Sequence, residues 1–273
     1  MFRYLVVLTA LMPAAFNAAV FAAGGGTDSN EELAKKLQNP VAPLINVPLQ
    51  NNYNWDVGPE HDGNVYMMRF QPVIPLPFNK DYAVVSRSIL PYISQKNIAG
   101  RTSQSGIGDL EQSFFFTPMH PSEDGLKWGA GPILYLPTAS DTALGAEKWG
   151  LGPTGVLLKQ SGPWTAGFLA NQVWSVAGNK GRAEICQTYM KPFGAYTFPD
   201  GLTINATVEG NYDWRAVKWS LPLVGGVSKM LTAGGQKLNL GAMLSYDPEM
   251  LAGNKLGLRF VLTFLFPVPV NKQ

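Results

Sequence analysis

The residues of this chain best placed to do chemistry are charged side chains set inside alternating apolar segments. Arg69, Arg87, Asp109, Glu111, Glu209 and Arg259 each sit in a run with period-two alternation. In a strand that period sends successive side chains to opposite faces. A guanidinium or carboxylate is costly in hydrocarbon, so wherever one face of such a strand is apolar, the charge must turn to the other. The six groups therefore predict a polar interior. Two readings of it stay open: a solute path whose charges select what passes, or a closed ladder of ion pairs that fills a narrow barrel.

Other chemistries find less support. The chain has two histidines, His61 and His120, and the strand pattern puts them at opposite ends of the sheet, so they are not expected to share a metal, and no Cys or His cluster with ligand spacing stands elsewhere. His61 has Asp56, Glu60 and Asp62 nearby to support a base, but no nucleophile motif accompanies it, and the expectation is that the protein is not an enzyme. Gly150-Leu151-Gly152-Pro153-Thr154-Gly155 matches a dinucleotide-binding string. It lacks the strand-turn-helix context and carries a proline where a helix should open, so it reads as a bending strand. No cofactor and no metal are expected. Cys186 is the single cysteine, which excludes an intrachain disulfide and reads as a small residue on a wall.

The elements that must position these charges are read from alternation. In the final segment Leu258, Phe260, Leu262, Phe264 and Phe266 share one face, while Arg259, Val261, Thr263 and Leu265 share the other. If the first face meets lipid and Arg259 meets a wet lumen, both are satisfied, which is the arrangement of a transmembrane β-barrel. Starting near residue 44, further alternating runs lie near 64–75, 82–93, 106–117, 127–137, 148–159, 163–176, 184–198, 202–214, 217–230, 236–246 and 255–266, which predicts an all-β antiparallel barrel of about twelve strands, with ten or fourteen as alternatives. Connections near 75–81, 118–126, 160–162, 199–201 and 232–235 read as turns, most of them rich in Gly, Pro, Asp or Asn, and the intervening ones are mostly longer and polar. An even count returns both termini to one side.

Composition agrees with many short strands. Of the residues 46% are apolar, 11% aromatic and 15% charged, and the apolar ones are spread evenly along the chain. No stretch has the ~18 consecutive apolar residues of a spanning helix. Arg3, the apolar run from Leu5 and the alanines near 18–23 form a secretory leader over 1–22. Loss of Arg3 takes the formal charge from +2 to near +1, which offers no basic surface for nucleic acid. Residues 23–43 read as a periplasmic N-terminal segment with at most two helical turns before Asn39-Pro40, residues 44–266 as the barrel and 267–273 as a tail. Lys-Trp-Gly-x-Gly-Pro occurs at 127–132 and again at 148–153. Trp128, Trp149, Trp164 and Trp214 at strand ends suit the aromatic girdles of the two membrane interfaces.

Several segments carry a family resemblance: Asn39-Pro40-Val41-Ala42, Val47-Pro48-Leu49-Gln50-Asn51-Asn52-Tyr53, Gln71-Pro72-Val73-Ile74-Pro75, Ser86-Arg87-Ser88-Ile89-Leu90-Pro91, Gly106-Ile107-Gly108-Asp109-Leu110, both Lys-Trp-Gly motifs and Gly162-Pro163-Trp164-Thr165. Over nearly the whole mature chain the sequence resembles a Gram-negative outer-membrane β-barrel transporter family, often given a neuromedin-U-like label and akin to outer-membrane proteins of phenol-degradation pathways. The resemblance implies an outer-membrane barrel with a transport role, and carries no catalytic residues. It also implies that the terminal strand with Gly257, Phe260, Phe264 and Phe266 is the signal read by the barrel-assembly machinery. Pro267 and Pro269 in the tail beyond it depart from the usual aromatic end.

The expected function is a passive channel or transporter for small, hydrophobic or aromatic solutes, with outer-membrane lipid and lipopolysaccharide as surroundings. The alternatives are a closed structural or binding barrel whose outer loops contact lipopolysaccharide or proteins, and a secreted soluble β-sandwich or lipocalin-like binder.

Overall fold

The computed structural model describes residues 28–58, 60–98, 102–120, 122, 125–249 and 254–266, so the leader 1–22 and the tail 267–273 lie outside the described residues. One helix, α1 (Asn30–Leu37), precedes sixteen strands. They are β1 (Ile45–Val57), β2 (Gly63–Phe70), β3 (Val73–Pro77), β4 (Tyr82–Lys96), β5 (Ser103–Ile107), β6 (Leu110–Pro118), β7 (Leu126–Leu136), β8 (Lys148–Ser161), β9 (Trp164–Gly178), β10 (Cys186–Thr197), β11 (Leu202–Val208), β12 (Gly210–Asp213), β13 (Lys218–Ser220), β14 (Leu223–Ala233), β15 (Gln236–Tyr246) and β16 (Leu256–Phe266).

Four pairs of these, β2 with β3, β5 with β6, β11 with β12 and β13 with β14, are single staves whose ladder is interrupted, with a one-residue register shift at β5–β6 and an unchanged register at the other three, so the sheet has twelve antiparallel staves. Proline explains the breaks. Pro72 and Pro222 interrupt their own staves, and Pro91 faces the break at Gly108; none can donate to the ladder. The chain bridges each defect with its remaining donors: Ser88 N donates to Pro72 O at 3.1 Å, Gly108 N to Pro91 O at 2.9 Å and Glu209 N to Pro222 O at 2.8 Å.

The ladder closes where β1 pairs with β16 from Ile45↔Phe266 to Asn54↔Gly257, leaving no free edge. The fold is thus a closed twelve-stave antiparallel β-barrel and not a sandwich. Both described chain ends lie at one rim. At that rim the hairpins are tight, as at Gly234-Gly235, where both residues have positive φ (56° and 82°) as a two-residue type I′ turn demands. Longer connections, such as 137–147 between β7 and β8, occupy the other rim. We call these the turn rim and the loop rim.

Register assigns the faces, because directly paired residues point the same way. Leu258, Phe260, Leu262 and Phe264 pair with Tyr53, Asn51, Leu49 and Val47, all outward. Tyr66, Met68 and Phe70 continue that surface on β2, and Phe114 and Phe116 do so on β6. Large apolar side chains around the outer wall are exposed, among them Leu157, Ile204, Leu244 and Phe260. Such a belt on a closed barrel matches a hydrocarbon-facing wall.

Residues 28–44 do not stand apart from the barrel. Ser29 caps α1 with a capping box shared with Glu32. Leu33, Ala34, Ala42 and Leu44 pack against the inward-facing Met230 and Leu265, while Gln160 on the opposite wall donates from Nε2 to Lys35 O at 2.8 Å. Because these contacts reach opposite staves, the segment lies across the mouth at the turn rim. Just beyond it Val41 joins Val73, Val85, Phe115, Val156, Leu158 and Leu169 in an apolar floor.

Candidate functional site: the polar belt of the lumen

Above that floor the interior changes character. The row Asn52, Arg259, Met243, Gly226, Asn205 runs inward across five neighbouring staves by direct pairing. Gly226 puts no side chain into this row, and across the gap Arg259 reaches Glu209, which lies between β11 and β12 at the level of Lys191 on β10. Nη1 and Nη2 of Arg259 donate to Oε1 and Oε2 of Glu209 at 2.8 Å each, and Arg259 Nε donates to Asn52 Oδ1 at 2.7 Å. Lys191 Nζ approaches Glu209 Oε1 at 3.2 Å from β10. Arg259 and Glu209 are 9% and 10% exposed, whereas Lys191 keeps 29% of its side-chain surface open. This bidentate pair is the barrel's internal cross-brace.

The facing wall is less fully neutralised. Arg69 on β2 and Arg87 on β4 both point inward, opposite Pro91 and Val73 respectively. Arg87 Nη2 donates to Gln71 Oε1 at 3.4 Å, and Gln71 Nε2 donates to Gln50 Oε1 at 3.3 Å. Arg69 Nε rests against Met67 Sδ at 3.3 Å. Among the described residues neither guanidinium has a carboxylate within 4.0 Å. Their nearby countercharge is Glu111 on β6, which faces inward beside Arg87 and lies directly opposite Tyr135 of β7. Tyr189 on β10 packs against the apolar floor.

Asp109 belongs elsewhere. Its Oδ1 accepts from Ala139 N at 3.1 Å and its Oδ2 from Ala146 N at 2.6 Å, so both oxygens hold the connection 137–147. Leu144 of that connection is buried, against the inner side of Gly106 and Gly108. Arg182 donates to Thr142 O at 2.9 Å and also reaches Gly145 O. Asp109 therefore anchors an inward-folded loop, each of its oxygens accepting one backbone N–H.

The loop rim carries a second ion pair. Lys148, 3% exposed, donates to Glu184 Oε1 at 2.6 Å, and Ser175 Oγ donates to the other oxygen. The Lys148 ammonium, with the Ser175 hydroxyl, holds the Glu184 carboxyl below the ordinary carboxylate value. At the turn rim Lys229 does the same to Asp200, helped by Leu202 N–H.

Of the other residues singled out from sequence, Phe260, Phe264 and Phe266 lie on the outward face of β16 and Gly257 points in against Asn54 and Ser245. Trp128 and Trp164 stand outward at the turn rim, Trp149 and Trp214 outward at the loop rim. Gly150 to Gly155 lie within β8, a strand. Among the described residues no group of three His, Cys, Asp or Glu side chains is placed to hold a metal ion. Sequence reading passed over Lys191, Tyr135, Tyr189 and Gln71. Lys191 had the same signal as the six, a charge inside a strand. The tyrosines had none, because only register puts Tyr135 opposite Glu111.

No family model matches the chain, and no curated protein matches it. Among solved structures it is similar to an outer membrane channel from Pseudomonas putida F1, with a TM-score of 0.66 and 14% identity over 82% of this chain and 96% of that one. It also aligns with outer membrane phospholipase A from Escherichia coli, with a TM-score of 0.45 and 12% identity over 87% of this chain and 98% of the other. The likeness to the channel is one of fold.

Proposed function

We propose that this protein is an outer-membrane barrel that passes small solutes by passive diffusion, without a cofactor and without enzymatic chemistry. The observation that carries the reading is the pairing of a closed outer wall rich in exposed apolar side chains with a belt of partly accessible charge inside it. A barrel that served only as a membrane scaffold could fill its bore with apolar side chains at lower cost, since charges buried as ion pairs repay their desolvation poorly. The channel fold of the Pseudomonas protein supports the same reading. The strands cross the bilayer, the turn rim faces the periplasm, and lipid, lipopolysaccharide and the barrel-assembly machinery are the surroundings. A solute enters among the loops, meets Arg69, Arg87, Glu111, Lys191 and the Arg259–Glu209 brace, and follows its gradient.

A second reading, a closed binding barrel acting through its loops, is favoured by one observation: residues 28–44 fill one mouth and 137–147 fold into the other. Planar-bilayer recording of refolded protein, with liposome swelling alongside, separates the two. Steady conductance altered by Arg69→Ala and Glu111→Ala supports the channel; silence from protein shown to be folded moves the assignment to the closed barrel.

A further inference from the structure

We infer that the Arg69–Arg87 wall of the lumen is a binding site for the carboxylate of a small organic anion, a step that rests on the reading of the lumen as accessible to solute. The belt places four cationic side chains, Arg69, Arg87, Lys191 and Arg259, against two carboxylates, Glu111 and Glu209. Their consumption is uneven. Glu209 is shared by Arg259 and Lys191 through both of its oxygens, and Arg259 spends its remaining Nε on Asn52. That wall also keeps one excess positive charge, but its guanidinium is engaged at Nε, Nη1 and Nη2.

On the opposite wall two guanidiniums, each able to donate five hydrogen bonds, make one hydrogen-bond contact apiece, to an amide oxygen and to a thioether. Both retain accessible surface, which on an inward-facing side chain opens to the lumen. Glu111, directly opposite Tyr135, answers one positive charge at most. The uncompensated remainder is one positive charge and a set of planar, fork-shaped donors, the geometry that suits a carboxylate. Below the arginines Tyr189 joins the apolar floor of Val85, Phe115, Val156 and Leu169, with Phe193 against the same floor. An anion seated on the arginines thus lays its carbon skeleton on apolar and aromatic surface. A carboxylate with an apolar ring fits both halves; a bare inorganic anion fits only one.

The test uses full-length protein in planar bilayers under a potassium chloride gradient, with sodium benzoate and sodium acetate as probes. The wild type is expected to favour chloride over potassium, and benzoate to reduce the chloride current at lower concentration than acetate. In the Arg69→Gln/Arg87→Gln variant the chloride preference disappears and the benzoate needed for half-block rises by about tenfold or more, the scale of one lost charge-assisted contact. Arg69→Lys/Arg87→Lys retains the chloride preference and loses part of the benzoate effect; it also stands in if the glutamine pair fails to fold, as judged by heat-modifiable migration in gels. A conducting wild type without anion preference, or with preference unchanged in the glutamine variant, overturns the site and leaves the channel reading in place. If the protein does not conduct, calorimetric titration of benzoate into the detergent-solubilised barrel decides: binding lost in the glutamine variant supports the site while the channel reading fails, and no binding overturns both.

Discussion

At the scale of single residues the interior is governed by how completely each charge is answered. Glu209 and Arg259 are nearly buried and paired at 2.8 Å through two hydrogen bonds. Removing one partner strands the other, at a cost of about 3–5 kcal/mol. Glu209→Gln is therefore expected to lower the urea midpoint of the detergent-folded barrel markedly, whereas Glu209→Leu combined with Arg259→Met restores much of the loss; equal losses for both would show that a stranded charge is not the cause, and no loss in Glu209→Gln would show the pair to be unimportant. Glu184 offers a pH counterpart on the exposed rim. Lys148 and Ser175 hold its carboxyl below the ordinary value of 4.5, so the stabilisation is fully present above that value and disappears as pH falls through the depressed one. Hydrogen exchange in the 179–185 connection should accelerate in acid in the wild type, and Glu184→Gln should show the faster exchange already at neutral pH.

At the scale of elements, one aspartate decides the position of a loop. Asp109 sits at the bulge between β5 and β6 and accepts the backbone N–H groups of Ala139 and Ala146. Hydrogen bonds to a charged acceptor contribute roughly 1.5–3 kcal/mol. Asp109→Ala is expected to release residues 137–147 from the lumen, read as faster hydrogen exchange confined to that connection, with β6 and β7 still protected. Protection lost throughout the barrel would instead make Asp109 part of the sheet's own stability. The bulge beside Asp109 is an element in its own right, since the one-residue register shift between β5 and β6 bends that stave where the loop docks.

At the scale of the whole molecule the barrel is closed by β1 on β16, a ladder that begins at Ile45 and owes nothing to the helix before it. Deleting residues 28–37 should leave a heat-modifiable folded barrel with larger single-channel conductance, because the apolar contact of Leu33 and Ala34 on Met230 and Leu265 is what covers the mouth; unchanged conductance would mean that another constriction sets the bore. Much of this architecture was legible in the chain itself. Period-two alternation pointed to about twelve staves, with ten or fourteen left open, to their boundaries within a few residues, to the alternation of short and long connections, and to the inward face of Arg69, Arg87, Glu111, Glu209 and Arg259, because each follows from local geometry and from the cost of a charge in hydrocarbon. What local geometry does not carry is which residues meet across the bore. The pairing of Glu209 with Arg259, 50 positions apart, the capture of 137–147 by Asp109 and the folding of residues 28–44 back into the mouth were decided only in the tertiary structure, because closing the sheet sets the distances between staves that are remote in sequence.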